Sequence, residues 1–204
     1  MSDTRRTSPA IGLWEFDSIA QGVSVADAIA KGAPVAMITT GTAHPGKYIV
    51  LVAGDVASVS VAVDIVRDIA PDTLVDRVFL ADIAPAVADA IATAEAGASA
   101  SAEAVGIVET ISVASAIEAA DAAIKEADVG LGLLRLADGL GGKAFFIVDG
   151  SIGDVESAVA AALDRVADRI VSTTVIHQLT DEIRADLASS SFFGDTVFGR
   201  AGSK

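Results

Sequence analysis

"AIGLWEFDSIAQGVSVADAIAKGAPV" (residues 10–35) returns, without a gap, as "AVGIVETISVASAIEAADAAIKEADV" (residues 104–129). Eleven of the 26 positions are identical, among them Gly12/Gly106, Glu15/Glu109, Ser18/Ser112, Asp27/Asp121, Lys31/Lys125 and Val35/Val129. A repeat at a fixed offset marks one structural unit used more than once. Further on, "GKYIVLVAGDVASV" (46–59) matches "GKAFFIVDGSIGDV" (142–155). The offset grows from 94 to 96, so copy two gains two residues between "TTGTAHPGK" (39–47) and "LLRLADGLGGK" (133–143).

Both copies carry the same order of elements. A short apolar strand (10–16, 104–110) leads to Ser18 or Ser112 at an N-cap position. A helical pattern then runs to about Ala33 or Ala127. A second strand follows at 35–40 and 129–137, a glycine-containing loop, and a third strand at 47–53 and 143–149. A second helix and a final strand (74–81, 169–176) complete βαββαβ, the ferredoxin-like split unit. One sheet with two Ala-rich helices on one face is an α+β, two-layer α/β sandwich.

The expected boundaries are an N-terminal extension (1–9), a first domain (10–92), a linker (93–103), a second domain (104–188) and a flexible tail (189–204). A short helix opens residues 84–103 before the Ala/Ser/Gly linker, and "TDEIRADLA" is a terminal helix. The tail holds Phe192, Phe193 and Phe198, which suits a disordered terminus or docking on a neighbouring subunit.

Residues 41–47, "GTAHPGK", have the spacing of a phosphate-binding loop, but Tyr48 stands where that loop needs Ser or Thr. The loop also joins two strands and opens no helix, so the nucleotide reading fails on context.

Composition excludes further classes. Of 204 residues, 52% are hydrophobic and 21% charged, enough for a packed core. The net charge of −14 argues against nucleic acid and anionic membrane partners. No apolar run reaches the ~18–20 residues of a membrane span, and "MSDTRRTSPA" precedes no signal-peptide segment. The chain is therefore read as cytosolic. It has no cysteine, which removes disulfides, thiol nucleophiles and Cys-ligated metal centres. His44 and His177 are its two histidines.

Each copy resembles a bacterial microcompartment shell domain, on "AIGLWE", "ADAIAKGAPV" and "GKYIVLVAGDVASV", and on "AVGIVET", "AADAAIKEADV" and "GGKAFFIVDGSIGDV". The resemblance covers about residues 10–187, and two unpermuted copies resemble the tandem, trimeric class, most of all that of propanediol-utilising compartments. It implies a structural, non-enzymatic protein: a pseudo-hexameric disc of three chains that tiles with hexameric and pentameric shell proteins. It also implies a central pore for small polar metabolites, lined by Thr42, Ala43, His44 and Pro45 from copy one and Asp138, Gly139, Leu140 and Gly141 from copy two.

The propanediol-utilising relatives carry a Cys just before Pro-Gly-Lys, and three of these hold an iron–sulfur cluster on the axis. Here that position is His44, so no Cys-ligated cluster is implied. Three His44 on a threefold axis leave two readings: a polar pore lining with no cofactor, or a tris-imidazole metal site. Their mutual repulsion would disfavour protonation.

Lys31 and Lys125, each in a D-A-x-x-K frame, suit a solvated cation at a helix C-terminus or, by the resemblance, the tile edge. His177 and Gln178 replace the Pro and Arg of "VIPRPH" in relatives, which weakens that edge contact or makes it asymmetric. Lys47 and Lys143 suit surface charges or a less acidic approach to the pore. The alternative function is a ferredoxin-like small-molecule-binding regulator, since fold does not fix function. Catalysis by Glu15 and Glu109 would need a defined partner and a perturbed pKa, and the sequence shows neither.

Overall fold

The computed structural model describes residues 9–69, 72–93, 102–137 and 139–189. The N-terminal extension, most of the linker, Asp138 and the Phe-containing tail lie outside them. The first domain contains β1 (Ala10–Phe16), α1 (Ile19–Gly32), β2 (Met37–Ala43), β3 (Lys47–Gly54), α2 (Val56–Ile69) and β4 (Leu74–Leu80). After α3 (Pro85–Thr93) the second domain repeats it with β5 (Ala104–Thr110), α4 (Val113–Glu126), β6 (Gly130–Leu136), β7 (Ala144–Gly150), α5 (Ile152–Val166) and β8 (Ile170–His177). Helix α6 (Asp181–Ser189) follows. Both sheets are antiparallel, ordered β2-β3-β1-β4 and β6-β7-β5-β8. This is the expected pair of βαββαβ domains.

The predicted caps form. The hydroxyl oxygen of Ser18 accepts from Gln21 N, and that of Ser112 from Ser115 N. Each satisfies one of the free amides at a helix start. Along β1, Ala10, Trp14 and Phe16 face the core made with α1 and α2, whereas Ile11 and Leu13 join a second cluster with α3 and the second domain. All seven residues of β1 are therefore buried, because its sheet is covered on both faces. Gly106 lets α5 close on β5: a Cβ there would lie 2.6 Å from Val159 Cγ2.

The second strand departs from its expected bounds. Strand β2 continues to Ala43, with Gly41, Thr42 and Ala43 paired to Ile49, Tyr48 and Lys47. Gly41 sits on an exposed edge strand, where a Cβ would meet nothing within 4 Å, so this glycine does not break the ladder. The turn shrinks to His44–Gly46, closed by a hydrogen bond from Gly46 N to Ala43 O (2.9 Å) with Gly46 at φ +115°. That angle is where glycine is needed.

Candidate functional site: loop rim, domain junction and edge

Two loops from different domains meet. Gly142, at φ +82°, lies so close to the first loop that a Cβ would stand 3.0 Å from the His44 carbonyl oxygen and 3.1 Å from Pro45 Cδ. Its carbonyl accepts a hydrogen bond from Lys47 Nζ at 3.2 Å. His44, Pro45 and Gly46 are exposed around a cis His44–Pro45 peptide, and Thr42, Gly139 and Gly141 are exposed nearby. Leu140 is half-buried. The structure thus gathers the loops named from the sequence, with one correction. Ala43 has its side chain in the core, so only its backbone belongs to the rim.

Behind this rim Glu15 is wholly buried. Its Oε1 accepts from Ala114 N at 2.7 Å and its Oε2 from Lys47 Nζ at 3.1 Å. Ala114 is in the first turn of α4, so a carboxylate of the first domain meets the positive end of a helix of the second. Burial raises the Glu15 pKa above its ordinary 4.5, while the Ala114 amide and Lys47 oppose that rise. Lys47 is not a surface charge, because it is spent on Glu15 and Gly142. The counterpart pair, Lys143 and Glu109, is made but half-exposed.

Helix α4 lies along β4, and at its far end Asp121 Oδ1 accepts from Ala84 N at 2.7 Å. Asp121 Oδ2 accepts from Lys125 Nζ at 2.7 Å, and Lys125 also donates to the Asp82 carbonyl oxygen. Lys31 makes the matching i,i+4 pair with Asp27, but its side chain is 74% exposed against 44% for Lys125. Identical motifs therefore occupy different surroundings. His177 is exposed, with Nε2 3.8 Å from Glu156 Oε1, and Gln178 turns at φ +58°. No three metal-binding side chains converge within one chain among the described residues. None of the described helices is long and apolar enough to cross a membrane.

Sequence reasoning missed the joint role of Glu15 and Lys47. Both recur in the second copy, which was the available signal, but their pairing across 32 residues and their common tie to the second domain are tertiary facts.

Two direct βαββαβ units locked along an α4–β4 seam, with their hairpin loops gathered at one end, define a tandem-domain protein of the shell-protein class. The chain belongs to the BMC-domain family, whose model matches it twice, at residues 10–85 and 104–179. It is 39% identical over 162 residues to the microcompartment shell protein PduT of Citrobacter freundii, covering 79% of this chain and 87% of that one. It is 38% identical over 94 residues to the carboxysome shell protein CsoS1 of Prochlorococcus marinus, covering 45% and 89%. A solved microcompartment protein from Desulfitobacterium hafniense superposes with TM-score 0.74 at 38% identity, over 87% of this chain and 99% of that one. All of these relatives are shell or microcompartment proteins, and the regulatory alternative finds no support among them.

Proposed function

We propose that three copies of this chain close head to tail into a pseudo-sixfold disc that serves as a tile of a microcompartment shell in the cytoplasm. One observation carries this reading: α1 lacks the cover that its twin α4 has. Val113 and Ile117 of α4 are 2% and 0% exposed under the first domain, but the matching Ile19 and Val23 of α1 are 44% and 48% exposed. Ile38 of β2, paired with Val52 on the sheet face that α1 covers, is also exposed and adds to that bare apolar surface. The second domain of another copy, with α6 in the place of α3, presents the cover that α1 needs. Such a junction is heterologous, and it ends growth only by closing a ring.

In that ring the His44–Gly46 and Gly139–Gly142 loops surround a pore for small polar metabolites, and the polar residues assigned to its lining are Thr42, His44 and Asp138 of each chain. Glu15 serves the seam and no chemistry, since α4 covers its carboxylate. Native mass spectrometry tests the reading. The expected species is a trimer of 20.5 kDa chains, about 61.5 kDa. A monomer or dimer at micromolar concentration overturns it. One metal ion per trimer, lost in His44→Ala, would assign a tris-imidazole site; a metal-free trimer assigns an open pore.

The lysines belong to the disc edge, where one tile meets the next. Replacement by Glu would set a carboxylate beside the buried Asp121, so Ala is the cleaner change at Lys125. The double variant Lys31→Ala/Lys125→Ala is expected to stay trimeric but to lose extended sheets in electron micrographs. Sheets of wild-type extent would count against the edge role.

A further inference from the structure

A groove of about 410 Å³ crosses the seam at the end away from the loop rim. Phe79 and Asp82 line it from the first domain, and Glu118, Asp121, Lys125 and Arg165 line it from the second. The second domain's charges are spent on one another: Asp121 holds Lys125 at 2.7 Å, and Glu118 holds Arg165 at 2.8 Å. The first domain's groups are not. Phe79 is 40% exposed. Asp82 is exposed too; its backbone carbonyl accepts from Lys125, but its carboxylate has no partner among the described residues. An exposed ring beside an unpaired carboxylate is a seat for a guanidinium, which stacks on the one and forks onto the other.

The chain brings such a group to this place. Pro9 is the first described residue, and its carbonyl accepts from Ile83 N at 3.4 Å, one residue beyond Asp82. Arg5 and Arg6 precede it. From Pro9 back to Arg6 is three residues, about 10 Å of extended chain at ~3.3–3.6 Å per residue. Residues 1–8 hold these two cations and one acid, Asp3, in a chain of net charge −14.

The repeat supplies an internal comparison. Ile11 pairs with Leu80 as Val105 pairs with Ile176, which sets Phe79 at Val175 and Asp82 at Gln178. Copy two is preceded by "SASAE" (99–103), which contains no cation. The copy with a basic extension therefore carries the aromatic and the acid, and the copy without one carries Val and an amide.

We infer that residues 1–8 form a strap: they turn back from Pro9 into the groove, seat an arginine between Phe79 and Asp82, and so touch both domains across the seam. Every group invoked belongs to one chain, so the inference stands apart from the ring proposed above. The short tether favours this occupant over the extension of a second copy, because it holds the arginines at a high effective concentration beside Asp82.

Trypsin cuts after Arg5 and Arg6, so docking is read as the rate at which the full-length protein loses its N-terminal peptide, followed by intact-mass spectrometry. Phe79→Ala/Asp82→Asn should be clipped about tenfold faster than wild type, because cleavage follows the fraction of undocked strap. Both residues are exposed, and an unchanged circular dichroism spectrum confirms that the variant folds. Equal clipping rates overturn the inference. Protection that grows with protein concentration assigns the seat to a second copy's extension, and also overturns the strap. A second measurement uses no protease. The chain has no cysteine, so Ser2→Cys takes a single fluorophore. Its anisotropy should fall to the same value in Phe79→Ala/Asp82→Asn and in Arg5→Ala/Arg6→Ala. Anisotropy unchanged in both would show that the extension does not dock.

Discussion

Glu15→Ala is expected to loosen the seam by about 3 kcal/mol, the low end for removing one partner of a buried ion pair. Two groups lose their acceptor at once: the Ala114 amide at the start of α4, and Lys47, only 15% exposed. Lys47 retains the Gly142 carbonyl, which keeps the loss at the low end. In a chain of this size that corresponds to a fall of about 6–12 °C in thermal midpoint. Glu15→Gln should lose less, because its amide oxygen can still accept from Ala114 N. The pair of variants also reads out the pH dependence. The folded carboxyl titrates above 4.5, so between 4.5 and the raised value the folded chain holds a proton that the unfolded chain releases. That contribution is complete below 4.5 and fades as pH rises through the raised value. The midpoint of the wild type minus that of Glu15→Gln should therefore shrink over this window and level off above it. A constant difference would show that the carboxyl titrates normally.

Val23→Asp should dissolve the trimer while leaving the single chain folded. In one chain Val23 is half-exposed on α1, and a carboxylate there is solvated. In the ring the same position corresponds to Ile117, fully buried, and an unpaired carboxylate in such a place costs several kcal/mol. At 1.4 kcal/mol per tenfold, a cost of about 3 kcal/mol weakens each junction by more than a hundredfold. Native mass spectrometry should show monomer with a wild-type circular dichroism spectrum. A persistent trimer would place α1 on the outside and refute the head-to-tail ring.

Much of this was legible from residues alone. The 94-residue repeat predicts two like domains, and Ser18 and Ser112 mark helix starts that form as expected. Element order follows from hydrophobic period, and the short loop between the second and third strands marks a hairpin there. The end of β2 was misplaced, since Gly41 looks like a loop residue and is in fact a ladder residue on an open edge. The role of Ala43 could not be read either: a loop-side alanine and a core alanine have the same letter.

Local pattern, repeated twice, determined the fold of each half, its caps, its glycine-bearing turns and the absence of thiol chemistry. Only the tertiary structure decided that the halves differ. Glu15 and Glu109, and Val23 and Ile117, occupy equivalent positions, yet one of each pair is buried in the seam and the other is left partly exposed. The physical reason is that burial and charge pairing are properties of neighbours in space. A periodic sequence specifies which face of a helix is apolar, but what covers that face depends on where the chain places its second copy.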